Sequence, residues 1–167
     1  MNDNHKRGMA TRMPESVFDE YRAALISQPV SAVWRGYGSA IFLELGRLYP
    51  QVRHDGSVGN PRGEYTVMIE WSWRIENETS IICGSWSEDQ DWENVFNSLV
   101  GCKVHDVSLS GRLPELLIHL SGGNYVASFM TAEGQPAWTI FARTPEDLKS
   151  RFISVENGRV CEGTEKT

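Results

Sequence analysis

The sequence predicts an α+β fold: a tandem duplication of one helix plus a four-strand antiparallel meander, helices on one face of the sheet or sheets, closed by a short C-terminal helix and β-hairpin. Three observations predict it. Leu25, Val30 and Val33 recur as Leu99, Val104 and Val107 at a constant separation of 74 residues, and Gly36 and Leu45 recur as Gly111 and Leu120 at 75. Ahead of each run, Phe18, Tyr21 and Leu25, and again Trp92, Val95 and Leu99, keep the i, i+3, i+7 spacing of one helix face. Further on, GEYTVMIEW aligns with GNYVASFMT, placing Tyr65 on Tyr125, Val67 on Ala127 and Ile69 on Phe129.

Taken in order, residues 1–15 read as a flexible N-terminus. Lys6, Arg7 and Arg12 are followed there by Pro14, Glu15, Asp19 and Glu20 instead of an apolar run, so no secretory signal is expected. Residues 16–167 form one α+β domain, with repeat one over 16–86, repeat two over 88–143 and the C-terminal helix and hairpin over 144–163. Alternation puts Tyr65, Val67, Ile69, Trp71 and Trp73 on one core-facing side of a strand. Ser87 with Gln90 three residues on is a capping-box pattern for the second helix, and Gly101 is placed to end it. Thr144-Pro145 predicts a third short helix reaching about Arg151. Asn157-Gly158, flanked by apolar residues, is a type I′ hairpin turn.

One hairpin departs from the repeat. The chain takes 20 residues from Leu45 to Tyr65 where the second copy takes 5 from Leu120 to Tyr125. The resulting 46–63 loop carries Arg47, Arg53, His54 and Arg62 against the single acid Asp55, a composition suited to gripping an anion or an acidic surface.

Composition bounds the function. A 167-residue chain buries roughly 70% of its unfolded surface and needs no metal or disulfide to supplement its core. Its 22 acidic and 16 basic residues, net −6, argue against a surface that tracks nucleic acid throughout. The charge is uneven: residues 1–83 balance at −1 and residues 84–167 at −5. No apolar run is long enough to cross a membrane, and three widely spaced cysteines without a C-x-x-C motif fit a reducing cytoplasm.

The residues that stand out chemically fall in two groups. Trp86, Glu88, Asp89, Asp91 and Glu93 combine aromatic and acidic character at a helix start, as an interface anchor for a basic protein partner would. Glu44, Glu70 and Arg74 on the mixed sheet face, with Arg53, His54 and Arg62 of the loop, form a ligand- or anion-binding set. Glu44 with Glu70 is also the pair a carboxylate-dependent hydrolase would use, and His105, His119 and Asp106 are a second, weaker general-base arrangement. No nucleophile elbow, P-loop, dinucleotide fingerprint or metal-ligand spacing occurs in the sequence, so no catalytic residue, metal or cofactor is assigned.

Gly101, Val104, Val107, Gly111, Gly123, Tyr125, Trp138 and Ile140 together resemble a group of small uncharacterised bacterial proteins that carry such a glycine/valine meander twice. The resemblance implies a bacterial cytoplasmic protein, in some cases one that accompanies toxin or defence loci, and transfers no catalytic residue. The expected function is thus a non-enzymatic binding protein acting through protein–protein contact, of the immunity or toxin-neutralising kind. The alternatives are a small-ligand or nucleic-acid-binding protein using the mixed sheet face and the 46–63 loop, and a carboxylate-dependent hydrolase.

Overall fold

The computed structural model describes residues 16–133, 136–144 and 150–165. The 1–15 segment and most of the helix expected after Thr144 lie outside them. Helix α1 (Val17–Leu25) starts on a reciprocal capping box: the Ser16 hydroxyl accepts from the Asp19 N–H at 3.2 Å, and the Asp19 carboxylate accepts from the Ser16 N–H at 3.3 Å. Helix α2 (Asp89–Leu99) follows Glu88 with no side-chain cap, because Ser87 instead accepts the Gly84 N–H at 2.9 Å. The capping box expected at Ser87 and Gln90 is therefore absent. Both helices bury the faces read from their period, Tyr21 and Leu25 on one, Trp92, Phe96 and Leu99 on the other.

Among the described residues, eleven antiparallel strands make up most of what remains: β1 (Val30–Arg35), β2 (Ile41–Tyr49), β3 (Arg62–Ile69), β4 (Trp73–Glu76), β5 (Ile81–Gly84), β6 (Val104–Ser110), β7 (Glu115–Leu120), β8 (Asn124–Ser128), β9 (Trp138–Ala142), β10 (Arg151–Glu156) and β11 (Arg159–Thr164). They form a six-stranded sheet in the order β1-β2-β3-β9-β10-β11 and a five-stranded sheet in the order β5-β4-β8-β7-β6. The first three strands after each helix pair consecutively within one sheet. The next strand exchanges sheets, β4 pairing with β8 and β9 with β3.

This architecture overturns the α+β class and the helix-plus-four-strand repeat. Strand accounts for 49% of the structure and helix for 14%, so the fold is β-rich. The physical reason is area. A helix about 10 Å across covers roughly two strands, whereas six strands at about 4.8 Å spacing span some 24 Å. The two helices among the described residues, of 9 and 11 residues, cannot sheathe two such sheets. The apolar strand faces instead contribute to a single core, where Leu43, Val67, Ile140 and Ile153 of one sheet join Val107, Ile118, Val126 and Ile75 of the other. Helix α1 lies against β6 and β11, and α2 against β1 and β5, so each closes a gap between edge strands of different sheets.

Where the chain changes sheets, the expected core stripe breaks. Val67, Ile69 and Trp73 are fully buried, but Trp71 has φ +60° and is 57% exposed. The hairpin expected at Asn157-Gly158 is present, with φ +50° and +74° and Glu156 paired to Arg159. The 46–63 loop is strand at both of its ends and a bridged turn at its tip. β2 runs to Tyr49 and β3 starts at Arg62, while Val52 bridges Val58 across a tight tip in which Asp55 accepts from the N–H and hydroxyl of Ser57. No helix among the described residues is long and apolar enough to cross a membrane.

Val52 and Val58 are largely exposed. Replacing residues 51–59 with Asn-Gly is therefore expected to change the urea-unfolding free energy by less than about 1 kcal/mol. A second expectation concerns α1, which Arg22 ties to Asp106 of β6 at 2.8 Å. The Arg22 hydrogen bond holds the Asp106 carboxyl below its ordinary 3.8, so the stabilisation is present above that pH and disappears on acidification. Asp106→Asn should lower Tm slightly at pH 7, by the equivalent of under about 1 kcal/mol, with the difference closing as pH falls toward about 3.

Candidate functional site

Three connections meet at one end of the molecule: the β1–β2 turn, the β3–β4 crossover and the β5–α2 link. Short polar contacts join them. The Ser39 hydroxyl donates to the Trp71 carbonyl at 2.6 Å, Trp73 Nε1 donates to the Ser39 carbonyl at 2.6 Å, and the Ser85 N–H donates to the Trp73 carbonyl at 3.0 Å. From β1, Arg35 donates to the Gly38 carbonyl at 2.9 Å, pairs with Asp89 at 2.8 Å, and lays its guanidinium 4.3 Å from the centre of the Trp92 ring. Trp92 is itself seated edge-on against the fully buried Trp73, with centroids 4.9 Å apart. A well-packed floor is thus fixed beneath this end.

On that floor the side chains pointing outward are aromatic and acidic. Tyr37 is fully exposed and shares a recess with the half-exposed Trp71, and Trp86 is 92% exposed on the β5–α2 link. Glu88, Asp89, Asp91 and Glu93 are all exposed at the start of α2. Beside Trp71, Trp34 and Phe42 stack at 3.9 Å and, with Tyr37 and Glu70, line a recess of about 460 Å³. All five residues of the acidic-aromatic group therefore lie together at the surface. Tyr37, Trp71 and Arg35 complete the surface: alternation predicts Trp71 in the core, and the sequence signal for Tyr37 is its place in the Gly36-Tyr37-Gly38 turn.

The ligand-binding group is dispersed. Glu44 lies on the outer face of the six-stranded sheet and is fully buried, its Oε1 accepting from Trp34 Nε1 at 2.9 Å and its Oε2 from the Gly63 N–H at 2.6 Å and the Thr66 hydroxyl at 2.5 Å. Arg143 extends the network by donating to Thr66 Oγ1 at 2.6 Å and to the Gly63 carbonyl at 3.2 Å. Burial, then the neighbouring Arg62, lowers the Arg143 pKa. Arg62 is the one other member of the group that joins Glu44, across a recess of about 240 Å³ that Arg143 also lines. Arg53 and His54 are exposed at the tip of the β2–β3 arm. Arg74 sits on the other sheet, paired to Glu76 at 2.8 Å.

Glu44 is opposite Thr66, so Glu70 is four residues further along the same strand direction, about 13 Å away. That exceeds the roughly 5–9.5 Å over which two carboxylates share a hydrolytic reaction. His105 and His119 do meet, edge to face at 5.2 Å, but His119 stacks on Tyr125 at 4.5 Å and Asp106 is engaged by Arg22. Among the described residues no group of His, Cys, Asp and Glu is arranged to hold a metal, and all three cysteines are free.

No family model matches the chain, and no curated protein or solved structure is significantly similar to it.

The three donors aimed at Glu44 define its role as structural support for the outer sheet face. Glu44→Gln places an amide NH₂ among those donors and should cost about 2 kcal/mol in urea unfolding.

Proposed function

We propose that the protein is a non-enzymatic binding protein that acts through protein–protein contact, and that its partner presents a basic surface. The observation that supports this reading is the end of the molecule where Tyr37, Trp71 and Trp86 stand exposed beside Glu88, Asp89, Asp91 and Glu93. Exposed tryptophan and tyrosine on a rigid base are the residues that carry binding energy at protein interfaces, and clustered carboxylates select a cationic partner and speed its approach. Of the four acids, Asp89 is engaged by Arg35, an exposed pair that a competing cation can replace at low cost. An immunity or toxin-neutralising role in a reducing cytoplasm fits this surface, because masking a basic toxin requires shape and charge and no chemistry. The three free cysteines accord with such a compartment. Small-anion binding at the recess lined by Arg62 and Arg143 is the less favoured reading, because Glu44 and Glu165 line the same recess.

Affinity capture from native lysate at graded salt tests the first reading. The wild type is expected to retain a basic protein at low ionic strength and release it as salt rises. Trp86→Ala combined with Asp89→Lys should weaken that capture by about thirty-fold or more. A protein that stays alone at low ionic strength, or a double variant that captures the same species equally well, would refute it.

A further inference from the structure

The recess of about 460 Å³ beside Trp71 owes its shape to two small residues. The Glu70 N–H donates to the Ala137 carbonyl at 2.9 Å, so the β3–β9 ladder extends one residue past Ile69 and Glu70 takes the same sheet face as Met68. Met68 is opposite Phe42, and Phe42 is opposite Trp34, which puts Glu70 on the outer face with both rings. The adjoining row across the strands consists of Gly36, bonded through its N–H to the Ala40 carbonyl at 2.8 Å, then Ala40, then Glu70. That row carries a single methyl group before the Glu70 side chain, and Tyr37 and Trp71 supply further walls. Glycine is required at position 36, because a Cβ there would lie 2.6 Å from Phe42 Cε2.

The walls of this recess specify a ligand. They are largely aromatic, their one charged residue is Glu70, and no basic residue lines them. Glu70 is half-buried, and no hydrogen bond or ion pair with a described residue engages its carboxylate. Elsewhere the chain twice completes the same combination of ring and carboxylate with a guanidinium. Arg35 lies 4.3 Å from the centre of Trp92 and pairs with Asp89, and Arg74 lies 5.7 Å from the centre of Phe129 and pairs with Glu76. Backbone acceptors beside the recess are already engaged: the Trp71 carbonyl by Ser39, the Gly38 carbonyl by Arg35 and the Tyr37 carbonyl by the Ala40 N–H. A primary ammonium, compact and strongly hydrated with three donors to satisfy, is poorly served by such walls. A guanidinium is planar and weakly hydrated, stacks on aromatic faces and meets a carboxylate through two N–H groups. We propose that this recess is a binding site for an arginine side chain, its guanidinium stacked on the aromatic walls and bonded to Glu70. That the basic partner supplies this arginine rests on the protein-binding reading above, whereas the preference of the recess for a guanidinium does not.

N-acetyl-arginine N-methylamide is the probe, with its citrulline and lysine counterparts as comparisons, titrated into the full chain and followed through the tryptophan indole N–H resonances. The arginine probe is expected to bind the wild type in the millimolar range and to shift the Trp71 and Trp34 signals, with the citrulline counterpart about tenfold weaker or more and the lysine counterpart about threefold weaker or more. Glu70→Gln and Trp71→Gly should each weaken the arginine probe by about fivefold or more. Glycine keeps the left-handed turn at position 71 without strain. Trp86→Ala, outside the recess, should leave probe binding unchanged while reducing capture of the basic protein. The site is overturned by a wild type that does not bind the arginine probe, by equal binding of the arginine and citrulline probes, or by binding that Glu70→Gln and Trp71→Gly both leave unchanged. In any of these cases a basic protein still captured by the wild type leaves the protein-binding reading standing, and probe binding without a captured protein refutes that reading alone. A partner captured equally well by Trp71→Gly would overturn the assignment of its arginine to this recess.

Discussion

Two short backbone segments hold the sheets to each other. Ahead of β1 and of β6, the chain runs antiparallel to itself: the Ser27 N–H donates to the Val104 carbonyl at 2.7 Å, Val104 to Gln28 at 2.9 Å, Val30 to Cys102 at 2.8 Å and Gly101 to Val30 at 2.8 Å. These four bonds surround the Pro29–Lys103 bridge. Each segment then feeds its own sheet, Pro29 accepting from Gly46 and Lys103 from Ser121. Positive φ at Ser27 (+72°) and Gly101 (+92°) turns the chain out of each helix into this junction. The ladders bulge at the same place, between Val30 and Ala32 and between Val104 and Asp106, so the strands can leave the junction in divergent directions. With the two starts pinned, the helices have nowhere to lie except across the open edges.

The exchange of strands has a direct effect on the acidic-aromatic end. A chain that leaves one sheet at Ile69 and joins the other at Trp73 must turn within three residues, and Trp71 takes the left-handed conformation that the turn requires. An indole that alternation would bury is thereby turned outward, while Trp73 reaches the core and fixes Trp92 and the start of α2. Exposure of one tryptophan and burial of the next are two consequences of one crossover.

Much of the local structure was legible because it depends on short-range chemistry. The helix phases of Tyr21 and Leu25 and of Trp92 and Leu99, the turn at Asn157-Gly158 and the helix stop at Gly101 were all written in spacing or in tolerance of positive φ. The cap at Ser87 was not legible because the Gly84 N–H, which claims its hydroxyl, is no part of the local capping pattern. The fold class was not legible. Nothing in Glu70-Trp71-Ser72 marks a change of sheet, since it contains neither glycine nor proline. Likewise, Glu44 reads as a wet-face carboxylate until Trp34 and the Arg143–Thr66 pair, distant in sequence, close over it. The acidic-aromatic cluster was readable because its members are contiguous, whereas the members of the ligand set lie at four separate places.

The pairing of β3 with β9 also shapes how the chain can be made. Ile69 meets Trp138, and Tyr65 meets Ala142, so the inner edge of β3 waits for a strand synthesised about seventy residues later. At roughly 5–20 residues per second, translation leaves that edge unpaired for several seconds after it emerges. It is an apolar edge open to other strands. Until β9 arrives, the nascent N-terminal half is in the position of a domain-swapping intermediate, because the six-stranded sheet draws its strands from both halves of the sequence.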